Sequence, residues 1–247
     1  MDLRLDQTPV VVAFAKAVHP IADVIGFYAG GSLAAGDFQP GISDLDLAAV
    51  IATSLDAQSR EHLRVLHKVT RSDDPSAAKL HCVYVPQHEV LDVHTPHLTW
   101  AHGELYCRPL SAIARAELRH DGITVLGPSP AELLPYVDRD SLQAAARAEL
   151  AGYWSGVVRK PWLWVEDVYV DLGLLTLARA EATLADGRLI TKREALTRLD
   201  RFGVPEDLVR QIALRRQGDS VTLTTLQRVR RAGTARRLVA RGIRSLL

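Results

Sequence analysis

The chain has only two cysteines in 247 residues, Cys82 and Cys107. Two thiols cannot build a disulfide framework, and this usage suits a reducing compartment. An excess of charge is also missing. Thirty basic residues face 29 acidic ones, a formal net charge of +1. That balance removes any global pull toward nucleic acid or a membrane surface. No apolar run approaches the roughly 20 residues that a membrane span needs. The opening stretch MDLRLDQTPVVVAFAKAV carries Asp2 and Asp6 and no small-residue cleavage site, so it does not read as a signal peptide. A cytoplasmic location is expected. Internal repeats and low-complexity tracts are absent too.

What remains is an ordinary globular composition, 47% hydrophobic and 24% charged, in a chain long enough for one large domain or two small ones. The first half alternates strand and helix signals. VIGFYA (24–29), LDLAAVIA (45–52) and LHCVYVP (80–86) read as strands, the last stopped by Pro86. A helix is expected after Ser54 as N-cap, with Leu63, Leu66 and Val69 at helical spacing. LSAIARAEL (110–118) reads as helix and ITVLGPSP (123–130) as a short strand ended by Gly-Pro. The pattern is that of a small α/β domain.

After about residue 138 the signals become helical throughout. One stripe places Leu142, Ala146, Leu150, Tyr153 and Val157 on a single face. The segment VDLGLLTLARAEATLADG ends at Gly187 in a C-capping role, and Thr191 with Glu194 has capping-box spacing. Leu226, Val229, Leu238 and Ile243 suggest one apolar face on a last helix whose other face is basic. From Val221 onward there are seven arginines and no acid, most simply a solvated face. His94 and His97 with Cys82 or Cys107 could be considered for zinc, but a zinc site needs four ligands in a rigid spacing.

The stretch with the most chemistry is YAGGSLAAGDFQPGISDLDLAAVI, Tyr28 to Ile51. Strand alternation sends Asp44 and Asp46 to the same face. Two adjacent carboxylates repel each other and resist desolvation, and a divalent cation relieves both penalties. Mg²⁺ favours carboxylate oxygens and substrate phosphates. Gly30 and Gly31 allow a close backbone approach, and Ser32 offers a hydroxyl and an amide at an expected helix start. A glycine turn facing metal-binding acids makes a nucleoside triphosphate site.

The Gly-Ser turn, eleven intervening residues and Asp-Leu-Asp resemble the DNA polymerase β-like nucleotidyltransferase superfamily. With DGITVLGPSPAELL and LLTLARAEATLADGRLITKREAL, the chain resembles the aminoglycoside adenylyltransferases that modify streptomycin and spectinomycin. The resemblance runs from about Ile25 to Gly242. It implies an α/β nucleotidyltransferase domain with a small mixed sheet (1–138) and a C-terminal helical bundle domain (139–247). ATP and antibiotic would lie between them, Mg²⁺ would be the cofactor, and the protein would act as a monomer. Gly31 and Ser32 match the triphosphate turn, Asp44 and Asp46 the metal ligands, and Arg179 and Lys192 the helical-domain cations that face nucleotide phosphates. Lys192 also opens a capped helix, where free amides favour an anion.

One departure stands out. The family has a glutamate base on the next strand, and His81 occupies that place. Histidine abstracts protons near neutral pH but is a poor Mg²⁺ ligand. His81 is therefore the candidate base, with Asp37 and Asp92 as nearby substitutes. If the base is lost, the chain becomes a nucleotide-binding protein without transfer. For a polycationic acceptor, KPWLWVEDVYVD offers Trp164, Glu166 and Asp167, with Trp162 and Asp171 close by. A different small metabolite or a protein side chain is the other class of acceptor.

Overall fold

A computed structural model describes residues 2–247. Contacts divide the chain into two compact units, one ending at Val137 and one running from Asp138 to Leu247. The first is a six-stranded mixed sheet with helices on both faces; the second is helical.

In the first unit the strands are β1 (Val24–Ala29), β2 (Leu45–Ile51), β3 (Leu80–Pro86), β4 (Pro96–Ala101), β5 (Glu104–Pro109) and β6 (Ile123–Leu126). Its helices are α1 (Leu3–Asp6), α2 (Pro9–Ala22), α3 (Gly31–Ala34), α4 (Ala57–Asp73), α5 (Ala112–Asp121) and α6 (Pro130–Leu133). The sheet order is β5-β4-β3-β2-β1-β6, and only β2 and β3 run parallel.

The continuous apolar runs of β1 to β3 follow from burial on both faces. Leu45, Leu47, Ala49 and Ile51 point to one side and pack with Phe14 and Val18 of α2 and Leu63 of α4. Ala48 and Val50 point to the other, with Val83 and Val85 of β3 and Leu110, Leu118 and Leu134. By the same alternation Asp46 and His81 belong to this second face.

Two details of the first unit correct the sequence reading. Asp56, not Ser54, caps α4, accepting from the Ser59 amide at 2.7 Å. Its buried face is Leu63 and His67, whereas Val69 is 48% exposed. His67 stacks on Trp100 at 4.6 Å between centroids, lies 4.7 Å from the Phe14 ring, and its Nε2 meets the Tyr84 hydroxyl at 2.8 Å.

The second unit contains α7 (Arg139–Glu149), α8 (Ser155–Val158), α9 (Asp167–Asp186), α10 (Lys192–Leu196), α11 (Glu206–Arg216) and α12 (Thr225–Leu246). The expected single helix across 140–158 is interrupted by a π turn at Leu150–Trp154. The extra residue shifts the phase, so Trp154 is buried and Tyr153 is 60% exposed. Gly187 ends α9 in the left-handed conformation, and the Thr191–Glu194 capping box opens α10. On α12 the buried face is Ala232, Ala235, Leu238, Val239 and Ile243, while Leu226 and Val229 are exposed. Among the described residues no helix is long and apolar enough to cross a membrane.

Candidate functional site

β2 and β3 pair in parallel with Asp46 directly opposite His81. Farther along both strands this face is filled by a buried cluster of Val50, Val85, Val90 and Leu134. At the Asp46–His81 end it is open, and a cavity of about 350 Å³ remains. One wall is Asp46, Ala48, His81 and Val83. Another is the turn at Gly30 and Gly31. The third is the end of β5 and the start of α5, including Arg108, Leu110, Ser111, Ala114, Glu117 and Leu118.

The glycine turn is built against the strand. The Gly30 amide donates to the Asp46 carbonyl at 2.7 Å. Gly31 has φ +56°, a left-handed conformation that favours glycine. A Cβ at Gly31 would run into the Asp46 carboxylate, with Cγ only 3.0 Å away. The missing side chain therefore leaves a cradle beside that carboxylate. Ser32 follows as the second residue of α3 and is half-buried. Asp44 is half-buried immediately before β2.

His81 Nδ1 lies 3.7 Å from Asp46 Oδ1, too far for a hydrogen bond but close in charge terms. The His81 side chain is 12% exposed and that of Asp46 48%, so the carboxylate reaches further into solvent. His102 in the β4–β5 turn meets the His81 ring edge-to-face, 5.0 Å between centroids. His102 itself has φ +56°, uncommon for a residue with a side chain. Cys82 also lines the cavity, but burial pushes its thiol up to about 12, so it is no nucleophile.

Asp37 and Asp92 do not line this cavity. Asp92 is exposed and holds its own turn, accepting from the His94 amide at 2.8 Å and the Thr95 hydroxyl at 2.5 Å. Among the described residues no group of three or more His, Cys, Asp or Glu side chains is placed to hold a metal ion. Two acids do not need a third for Mg²⁺, which takes one or two carboxylates and completes its shell with water and phosphate oxygens. Asp46 beside the Gly31 cradle supplies one such carboxylate; Asp44, just ahead of β2, does not line the cavity, and neither does Ser32.

In the helical unit, Arg179 of α9 donates from Nε to the Ile190 carbonyl at 2.9 Å. That bond brings it to the chain just ahead of Lys192, the first residue of α10. The two sequence-selected cations are thus neighbours in the second unit. The acceptor candidates fare differently. Trp164 is fully buried, its Nε1 donating to the Val157 carbonyl at 3.1 Å. It packs over Gly173 beside Trp154, so it is core rather than an aromatic surface for a ligand. Asp167 is ion-paired with Arg231 and lies 3.9 Å from Arg215. Asp171 takes Arg215 through two bonds of 2.6 and 2.8 Å. Burial raises the Asp171 carboxyl despite that partner. Glu166 is exposed at the start of α9, and Trp162 is 66% exposed.

Sequence reasoning did not select His102, Arg108, Ser111 or Glu117. Ser111 carried the clearest signal, an N-cap ahead of a helical run; it accepts from the Ala114 amide at 3.2 Å.

No family model matches the chain, and no curated protein matches it. A solved structure does: spectinomycin adenyltransferase AAD(9) from Enterococcus faecialis, with ATP and spectinomycin. The TM-score is 0.70 over 95% of this chain and 98% of that one, at 18% sequence identity. The chain has an aminoglycoside adenylyltransferase-like fold. The adenylyltransferase-like sheet therefore carries the Gly-Ser turn, the Asp-Leu-Asp strand and His81.

Proposed function

We propose that this protein transfers AMP from Mg·ATP to a hydroxyl of an aminoglycoside such as streptomycin or spectinomycin. The observation that carries the reading is the pairing of Asp46 with His81 on the open end of the sheet, facing the Gly31 cradle. A fold in common with a spectinomycin adenyltransferase supports it.

In this reading Asp44 and Asp46 hold the magnesium ion. When bound, that ion would neutralise charge developing on the transferring phosphoryl group. The Gly31 backbone and Ser32 face the triphosphate, and Arg179 and Lys192 take its outer oxygens. The acceptor hydroxyl attacks the α-phosphorus in line. The new bond joins the acceptor oxygen to phosphorus, and the bond to pyrophosphate breaks. His81 takes the hydroxyl proton, which ends on the imidazole. Its place opposite Asp46 sets the base beside the reacting centre, so much of the rate comes from positioning. Glu166 stays with the acceptor as an exposed acid of the second unit; Asp167, paired with Arg231, and the buried Trp164 do not.

A second reading has its own support. His81 stands where a glutamate is expected, which favours a protein that binds nucleotide without transferring it. One assay separates the two. Purified protein is incubated with Mg·ATP and an antibiotic panel including streptomycin and spectinomycin, and products are read by mass spectrometry. An acceptor that gains the mass of AMP, with the gain lost in Asp46→Ala, is the expected result. ATP binding by calorimetry with no adduct on any acceptor would select the second reading.

A further inference from the structure

Beside the cavity, and not exposed to it, lies a fully buried arginine. Arg115 of α5 donates from Nε to the Leu110 carbonyl at 2.9 Å and from Nη2 to the Asp92 carbonyl at 2.8 Å. Its Nη1 donates to the Val90 carbonyl. Its Nη2 also lies 3.5 Å from His97 Nε2. On the far side of that ring, His97 Nδ1 is 3.2 Å from Glu89 Oε2. Burying a guanidinium is costly unless its donors are satisfied. Here the cost is met by three carbonyls, with the His97 ring beside the guanidinium and the Glu89 carboxylate beyond it.

The partners are spread along the chain. Leu110 opens the wall that faces Asp46 and His81, whereas Val90 and Asp92 lie in the loop after β3. One rigid fork therefore ties the start of α5 to the segment leaving the His81 strand. Lysine has the charge but not the planar array of five donors. The lining residues Ser111, Ala114, Glu117 and Leu118 lie within four positions of Arg115, on the helix it anchors.

We infer that Arg115 is a positioning residue: it sets the distance between the α5 wall and the Asp46–His81 wall, and so the fit of the acceptor. This rests on the AMP-transfer reading for its kinetic consequence, though not for its structural one. The nucleotide turn, Gly30 and Gly31, has its own bond to Asp46, and Gly30 also packs on Leu118 of α5, so it is only partly coupled to the fork.

The test compares wild type with Arg115→Lys and, as a milder change beside the same guanidinium, His97→Asn. Each is assayed well below its melting temperature, with folding checked by circular dichroism. Acceptor KM is expected to rise tenfold or more in Arg115→Lys and severalfold in His97→Asn. Mg·ATP affinity by calorimetry should fall by clearly less than the acceptor KM rises. Hydrogen exchange should speed up at least tenfold in residues 108–118 and stay unchanged in β2 and β3. Unchanged acceptor KM with a lower melting temperature would make Arg115 merely structural and overturn the inference. So would an equal loss of ATP affinity, or exchange that rises everywhere or nowhere. If wild type adenylylates no acceptor, the functional reading fails by itself, and the exchange pattern still decides whether the fork holds the wall.

Discussion

Gly31→Ala isolates the contact on which the proposed nucleotide site depends, and Gly36→Ala is its internal control. Both glycines are left-handed, at φ +56° and +68°. An alanine forced into that region costs about 1–2 kcal/mol at either position. For a chain of this size, each kcal/mol lowers Tm by about 2–4 °C. The two variants therefore lose similar stability, a few degrees each. Their surroundings differ completely. A Cβ at Gly36 meets nothing within 4 Å, whereas one at Gly31 meets the Asp46 carboxylate. Asp46 is half-exposed, so its side chain can swing away without unfolding the strand. Swinging away removes one of two proposed Mg²⁺ ligands and fills the cradle. Gly31→Ala should then weaken Mg·ATP binding at least tenfold, about 1.4 kcal/mol, while Gly36→Ala binds like wild type. Calorimetry on the two variants at matched temperature reads this difference. Equal affinities in Gly31→Ala and Gly36→Ala would refute the cradle, and with it the reason for a glycine at position 31.

Other consequences can be checked separately. His81→Ala should lower the single-turnover rate by about 10²–10⁴, the usual worth of a general base, with Mg·ATP affinity little changed. Burial holds the His67 imidazole down to about 3, below its unfolded value near 6.5. Between those values the unfolded chain binds a proton that the folded one refuses, so this histidine's contribution is lost as pH falls. From pH 7 to 5.5 the loss is about 1 kcal/mol, and denaturant melts should show it shrinking in His67→Gln. Gly173→Ala would press a methyl within 2.8 Å of the Trp164 ring and 3.0 Å of Trp154. Overpacking of that kind costs about 1–3 kcal/mol, visible as a lower melting temperature with Mg·ATP affinity unchanged.

The parts of the molecule legible in the sequence are those where one local rule dominates. VIGFYA and LHCVYVP are buried on both faces, and their apolar runs end where the strands end. The β4–β5 hairpin was not legible. Its outer strand, ELYCRP, is largely exposed at the sheet edge, and its turn uses His102-Gly103, where histidine hides a left-handed position. The site divides the same way. Asp46 and His81 share a face because strand alternation is strict and β2 pairs with β3 in register. The opposite wall has no such rule. Arg108, Ser111 and Glu117 reach the cavity only because the chain leaves β5 at one sheet edge and crosses through α5 to β6 at the other. Trp164 was misplaced because a tryptophan before a helix looks alike in sequence whether it faces solvent or core.

The π turn at Leu150–Trp154 bears on which changes of length the helical unit can accept. It holds one residue more than a regular helix would need to bring Trp154 onto the face of Leu142 and Ala146. Gly152 is exposed in that turn, and a Cβ there would touch nothing. Removing it would let the segment close into continuous α-helix with Trp154 still inside, since each residue of an α-helix turns through about 100°. The same removal from α9, which is regular throughout, would rotate one half of its buried face toward water. The bulge is thus an insertion that the fold has absorbed, and it marks a place where this chain can be shortened without being rearranged.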